Sequence, residues 1–130
     1  MAESIPERVV VLVIEDDPNV RELFVDTLTE EGYHVVATAT GGEALTLIST
    51  VRPDLITLDL DLPDTTGQSV LEKIRQDDSR PLPVVIVSAK HRIPHEIRAL
   101  AQAVLPKPFD IDALIALIRD LLPPPQQHEK

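Results

Sequence analysis

Six consecutive apolar residues, Val9-Val10-Val11-Leu12-Val13-Ile14, constrain this chain more than any other feature. A strand with one wet face alternates apolar and polar side chains. A run with no alternation, rich in β-branched residues, reads as a strand covered on both faces, the kind that builds parallel sheets between helical layers. Similar runs recur at Asp54-Leu55-Ile56-Thr57-Leu58 and Pro83-Val84-Val85-Ile86-Val87, with shorter stretches at His34–Thr38 and Ala103–Leu105. Aromatic residues are only 2% of the chain, so the core has to be packed from Val, Leu, Ile and Ala.

Helical signals alternate with these runs. Asp17-Pro18 reads as an N-cap followed by Pro at the first helical position, with Val20, Leu23, Phe24 and Leu28 at helical spacing and Gly32 as the stop. Helices are also expected at Glu43–Thr50 (Leu45 and Ile48 inward), at Gly67–Arg75 (Val70, Leu71 and Ile74 inward) and around His95–Ala101. The last is capped by Asp110, carries Leu114, Ile115 and Ile118, and ends at Leu122, where Pro123-Pro124-Pro125 stops it. Five strands alternating with five helices imply right-handed βαβ units and one α/β domain over residues 9–122. Residues 1–8 read as an N-terminal extension and 123–130 as a disordered Pro-rich tail.

Composition removes several classes of function. A formal net charge of −10 opposes contact with nucleic acid or an anionic membrane, both of which call for clustered Lys and Arg. The chain has no Cys, hence no disulfide, thiolate nucleophile or Cys-based zinc site. His34, His91, His95 and His128 show no ligand spacing and read as surface residues. No apolar run approaches the roughly 20 residues of a membrane span, and Met1–Arg8 has no leader pattern, so a cytoplasmic location is expected.

In open parallel sheets ligands bind beyond the carboxyl ends of the strands, so the residue after each strand is the informative one. Glu15, Asp16 and Asp17 follow the first strand; Asp59, with Asp61 two residues on, ends the third; Ser88-Ala89 follows the fourth; Lys107-Pro108 follows the fifth. Each is a common cap or turn residue by itself, and Asp17 is assigned to capping. Together they put acids beside a hydroxyl and an ammonium at one sheet edge. Several carboxylates in one pocket repel unless a cation joins them, and Mg²⁺ suits oxygen ligands and phosphate. A carboxylate neutralised in this way could attack a phosphoryl donor, with Mg²⁺, Lys107, the Ser88 hydroxyl and the Ala89 backbone N–H sharing the developing charge.

The stretches Val11-Leu12-Val13-Ile14-Glu15-Asp16-Asp17-Pro18, Pro53–Pro63, Gly67 eight residues after Asp59, Val87-Ser88-Ala89 and Leu105-Pro106-Lys107-Pro108-Phe109 occur in this order. In that order they resemble the receiver domain of bacterial two-component response regulators, of the single-domain type, over nearly the whole chain. The resemblance implies a flavodoxin-like three-layer αβα sandwich with a parallel sheet of order 2-1-3-4-5. It implies Asp59 as phosphoacceptor, and a Mg²⁺ site of Glu15, Asp16, Asp59 and the Asp61 backbone carbonyl. Ser88 matches the switch hydroxyl and Lys107 the phosphate-contacting lysine. The implied donor is a sensor histidine kinase or phosphotransfer protein. With no output domain in these residues, the domain is expected to signal by binding another protein, as a monomer or weak dimer and not as a turnover enzyme.

Three departures from the family stand out. Val104 occupies the position, three before the lysine, where the family carries Tyr or Phe, so an aromatic switch coupled to Ser88 is unavailable. Ser88 to Lys107 spans only 19 positions and Leu100-Ala101-Gln102-Ala103 lacks the usual Gly-Ala turn, which predicts a short or irregular fourth helix. Asp61 and Lys90 flank the pocket with opposite charge and are expected to pair across its mouth. Two other functions compete. A haloacid-dehalogenase-type phosphatase is suggested by Asp59-Leu60-Asp61, although Pro63 and the order of the acids oppose it. A receiver-like binding module that no longer takes phosphate is the other, mildly favoured by Val104.

Overall fold

The computed structural model describes residues 8–77, 81–89 and 92–122. Its elements run β1 (Val10–Ile14), α1 (Pro18–Glu30), β2 (His34–Thr38), α2 (Gly41–Val51), β3 (Leu55–Leu58), α3 (Gly67–Gln76), β4 (Val84–Ser88), α4 (His95–Arg98), β5 (Ala103–Pro106) and α5 (Ile111–Leu121). The five strands form one parallel sheet in the order β2-β1-β3-β4-β5. This is the flavodoxin-like order that the resemblance implies.

The unalternating strands bury both faces. Leu12, Ile14, Ile56, Leu58, Val84 and Ile86 point to the side covered by α2, α3 and α4, with Ala44, Val70, Leu71, Ile74 and Ile97. Val11, Val13, Leu55, Val85 and Val87 point to the side covered by α1 and α5, with Phe24, Leu28, Leu114 and Ile118. β3 and β4 have no exposed residue at all, because a neighbouring strand lies on each side of them and a helical layer on each face.

Capping follows the sequence closely. The Asp17 carboxylate accepts from the N–H groups of Asn19 and Val20, Pro18 opens α1, and Gly32 ends the turn after it at φ 102°. Asp110 caps α5 and Thr66 caps α3. Leu23 departs from the apolar stripe of α1: it is 46% exposed, while Phe24 and Leu28 are buried. His34 and His95 lie at the surface as expected. Lys90, His91, His128 and the Pro-rich tail lie outside the described residues, as does the expected Asp61–Lys90 pair.

The fourth helix is short: α4 has four residues. Arg75, in the last turn of α3, takes over the role of the missing turn. Its guanidinium donates to the Leu100 carbonyl (Nε, 2.8 Å), the Leu82 carbonyl (Nη1, 2.8 Å) and the Gln102 side-chain oxygen (Nη2, 3.0 Å). That same Gln102 oxygen accepts from the Val84 N–H at 2.8 Å, while the Gln102 N–H donates to the Val84 carbonyl at 2.9 Å. Gln102 thus extends the β4–β5 pairing by one step with its own amide. Replacing Arg75 by Ala strands two carbonyls, and a loss of about 2 kcal/mol is expected in urea denaturation. Faster amide exchange should be confined to residues 97–103. Uniform exchange across the sheet would show that Arg75 is not a local clamp.

Candidate functional site

Glu15, Asp59, Ser88 and Lys107 stand at the carboxyl ends of β1, β3, β4 and β5, or on the residue just beyond. Three backbone bonds carry the sheet one step past its strands and hold them there. Glu15 N–H donates to the Thr38 carbonyl (3.0 Å), Asp59 N–H to the Ile14 carbonyl (3.0 Å) and Lys107 N–H to the Ser88 carbonyl (2.9 Å). The candidate side chains are therefore mounted on hydrogen-bonded strand ends.

The Lys107 ammonium joins the two buried acids. Its Nζ lies 3.1 Å from both Glu15 oxygens and 3.6 Å from Asp59 Oδ2. Glu15, Asp59 and Ser88 are all nearly inaccessible, at 2%, 5% and 1% exposure. Phe109, two residues past Lys107, packs edge-on against Phe24 of α1 with ring centroids 5.2 Å apart, which anchors the loop carrying the lysine. Burial, and then the charge of Asp59, push the Glu15 carboxyl up to about 7, against the Asp17 N–H and Lys107, which lower it. Burial alone would depress Lys107, but its bonds and charge contacts with Glu15 and Asp59 carry it above the ordinary lysine value.

The other expected residues are placed differently. Asp16 is exposed on the turn before α1, Asp17 is the cap, and the exposed Ala89 follows Ser88 directly. Asp61 N–H donates to Asp59 Oδ1 at 3.0 Å, so the loop after β3 folds back on the carboxylate it follows. Among the described residues no three Asp, Glu or His side chains gather as a ready-made metal cluster. The structure pairs Glu15 with Asp59 through Lys107 and leaves Asp16 outside that pair. Glu15, Asp16 and Asp59 offer carboxylate oxygens at this edge, ligands that suit a hard cation. Val104 sits in β5 opposite Ile86, half-buried against the α4 side of the core.

Two residues of this edge escaped the sequence reading. Asp64 accepts from the N–H groups of Gly41 and Gly42, both at 2.9 Å, tying the β3–α3 loop to the start of α2. Those bonds hold its carboxyl below the usual range. The signal was the Gly41-Gly42 pair, two bare amides opening a helix. Arg21 bonds the carbonyls of Glu15 and Asp16, and its signal was a cation four residues past the cap. A cavity of about 370 Å³ between α2 and α3, lined by Leu45, Ile48, Arg52, Lys73 and Ile74 among others, involves none of these acids.

The family model of the response regulator receiver domain matches residues 11–119. This chain belongs to that family. Among curated relatives, the response regulator MprA of Mycolicibacterium vanbaalenii is 37% identical over 117 residues, 86% of this chain and 49% of that protein. The probable transcriptional regulatory protein TcrX of Mycobacterium tuberculosis is 33% identical over 88% of this chain and 50% of its own length. The receiver domain thus spans about half the length of the curated relatives it matches. Among solved structures, response regulator TrrA of Thermotoga maritima, in complex with Mg²⁺ and BeF, is 31% identical with a TM-score of 0.80, covering 87% of this chain and 98% of that one. A structure of histidine kinase ThkA in complex with TrrA matches at 30% identity and a TM-score of 0.78, covering 87% and 97%. Among the described residues no helix is long and apolar enough to cross a membrane.

Proposed function

We propose that this receiver domain is a phosphorylation-dependent signalling switch that takes a phosphoryl group on Asp59. The observation that carries the reading is the Lys107 ammonium bridging two buried carboxylates at the carboxyl edge of the sheet. The donor is a phosphohistidine of a histidine kinase or phosphotransfer protein, a reading supported by the complex of the similar TrrA with its kinase.

Asp59 Oδ1 is held by the Asp61 N–H, which fixes the carboxylate and turns Oδ2 toward Lys107. In the transfer an Asp59 oxygen forms a bond to phosphorus as the phosphorus–nitrogen bond of the donor breaks. The imidazole leaves with the electron pair and takes up a proton. Lys107 stabilises charge on the phosphoryl oxygens, joined by the Ser88 hydroxyl and the Ala89 N–H. Glu15, Asp16, Asp59 and the Asp61 carbonyl would hold Mg²⁺, which supplies further charge neutralisation to the phosphoryl group. The Mg²⁺ in the similar TrrA complex supports that assignment.

Output runs to a partner protein in the cytoplasm through loop and backbone shifts around Ser88, because Val104 offers no aromatic side chain to swing. No nucleic-acid contact is proposed for a domain of net charge −10.

Incubation with acetyl phosphate and Mg²⁺, followed by intact mass, is expected to give one phosphoryl adduct per chain and none in Asp59→Ala. Steady hydrolysis of phosphomonoesters would point to a phosphatase instead. No adduct, even with a cognate kinase, would leave only a binding module.

A further inference from the structure

Arg21 lies one turn into α1, and its side chain runs back toward the start of the helix, as helical side chains do. Its Nη1 donates to the Glu15 carbonyl at 3.0 Å and to the Asp16 carbonyl at 3.3 Å. Its own backbone N–H donates to the Asp17 carbonyl at 2.9 Å. One residue therefore grips all three carbonyls of the acidic turn.

The side chains of that turn differ in what holds them. Glu15 is fixed by Lys107 and by the Asp17 N–H, 3.1 Å from its Oε2. Asp17 is fixed as the cap of α1. Among the described residues no hydrogen bond or ion pair holds the exposed Asp16 carboxylate. The point from which it projects is set by its backbone, and that backbone is held by Arg21.

We propose that Arg21 is a positioning residue of the metal site, aiming the Asp16 carboxylate at the cation through the carbonyls of Glu15 and Asp16. The inference rests on the Mg²⁺ reading given above. Two effects of opposite sign separate it from simpler roles. As a nearby positive charge, Arg21 repels a divalent cation, so removing it should tighten binding. As a brace, it preorganises the ligands, so removing it should weaken binding. Residues that orient metal ligands typically change metal affinity by about 10- to 100-fold, more than a screened surface charge does.

The test is calorimetric titration of the full chain with Mg²⁺ in wild type, Arg21→Ala and Arg21→Lys, each also melted without metal. Arg21→Ala should bind Mg²⁺ about tenfold more weakly or worse. Arg21→Lys should recover part of that loss, because an ammonium can reach one carbonyl and lacks the planar fork. Adduct formation from acetyl phosphate should shift in its Mg²⁺ half-saturation and return to within about twofold of wild type at saturating metal. If Arg21→Ala binds Mg²⁺ as well as wild type or better, whatever happens to its melting temperature, the proposal is wrong. Should Arg21→Ala fail to fold, Arg21→Lys decides alone: wild-type affinity overturns the proposal and weaker binding supports it. Failure of the wild type to bind Mg²⁺ would remove the metal reading itself, and the role of Arg21 with it.

Discussion

Replacing Gly67 by Ala is expected to lower the melting temperature by about 10 °C and to slow phosphoryl uptake at least about tenfold in the protein that remains folded. Gly67 is the first residue of α3, and its N–H donates to the Leu60 carbonyl at 2.9 Å. A Cβ on it would stand 2.5 Å from the Asp59 carbonyl oxygen, 2.5 Å from Leu60 Cα and 3.0 Å from Leu60 Cδ2. The two nearest atoms are backbone and cannot rotate away. They belong to Asp59, the proposed phosphoacceptor, and its neighbour, so relief has to come from pushing α3 off the loop that carries Asp59. Overpacking against backbone lies at the upper end of such costs, about 3 kcal/mol. Circular-dichroism melts check the first expectation, and adduct formation below the melting range checks the second. A variant that melts like wild type would mean the loop yields easily. One that melts early yet reacts at the normal rate would mean that loop position does not govern the chemistry.

How far the sequence carried depended on whether each contact was local. The unalternating runs at Val9–Ile14 and Pro83–Val87 identify doubly covered strands, because burial on both faces leaves no polar position to spare. Asp17 and Asp110 cap their own helices, so a window of a few residues contains both partners. The placement of Glu15, Asp59, Ser88 and Lys107 at one edge follows from strand ends in a parallel sheet. Beyond that, the ladder order decides which of them touch. That Lys107 would sit against both Glu15 and Asp59 depends on a side chain reaching across the sheet, 92 positions from Glu15. The Arg75–Gln102 clamp was hidden for the same reason, joining the end of α3 to the turn before β5. The missing Gly-Ala turn predicted the short fourth helix that is observed, but not that Arg75 and Gln102 would bond across it. Leu23 shows the opposite limit: spacing alone places it near the buried stripe, and in the fold it is 46% exposed.

The second large effect concerns Glu15. In the absence of Mg²⁺ the wild-type protein is expected to lose stability as pH rises from 4.5 to about 7, and Glu15→Gln to stay level across that window. Burial and the charge of Asp59 raise the Glu15 carboxyl from 4.5 to about 7 in the folded chain. The folded state therefore holds this proton more tightly than the unfolded state does. Below 4.5 both states carry it, and its stabilising effect is fully present. Through the window the unfolded chain gives it up first, so folding is progressively disfavoured, and above about 7 the contribution is gone. The gap between 4.5 and about 7 corresponds to on the order of 3 kcal/mol. Neither Lys107 nor Asp64, whose values are also displaced, mimics the signature. The raised Lys107 loses its contribution only on the alkaline side, and the lowered Asp64 only in acid below its ordinary range. At pH 8 Glu15→Gln should thus melt higher than wild type. Added Mg²⁺ should reverse the ranking, because it stabilises only the protein that binds it, and Gln offers a neutral oxygen where the cation needs a carboxylate. Wild-type Mg²⁺ affinity should also climb between pH 6 and 8, with proton release on binding, as Glu15 ionises. Melting curves at pH 5 and 8, each with and without Mg²⁺, contain the whole test. If wild type and Glu15→Gln run parallel in pH, burial of Glu15 carries no strain. If they diverge and Mg²⁺ fails to reverse their order, the strain is real but the cation does not relieve it. Reversal alone would show that the domain keeps an unstable acid in its core because the metal needs it there.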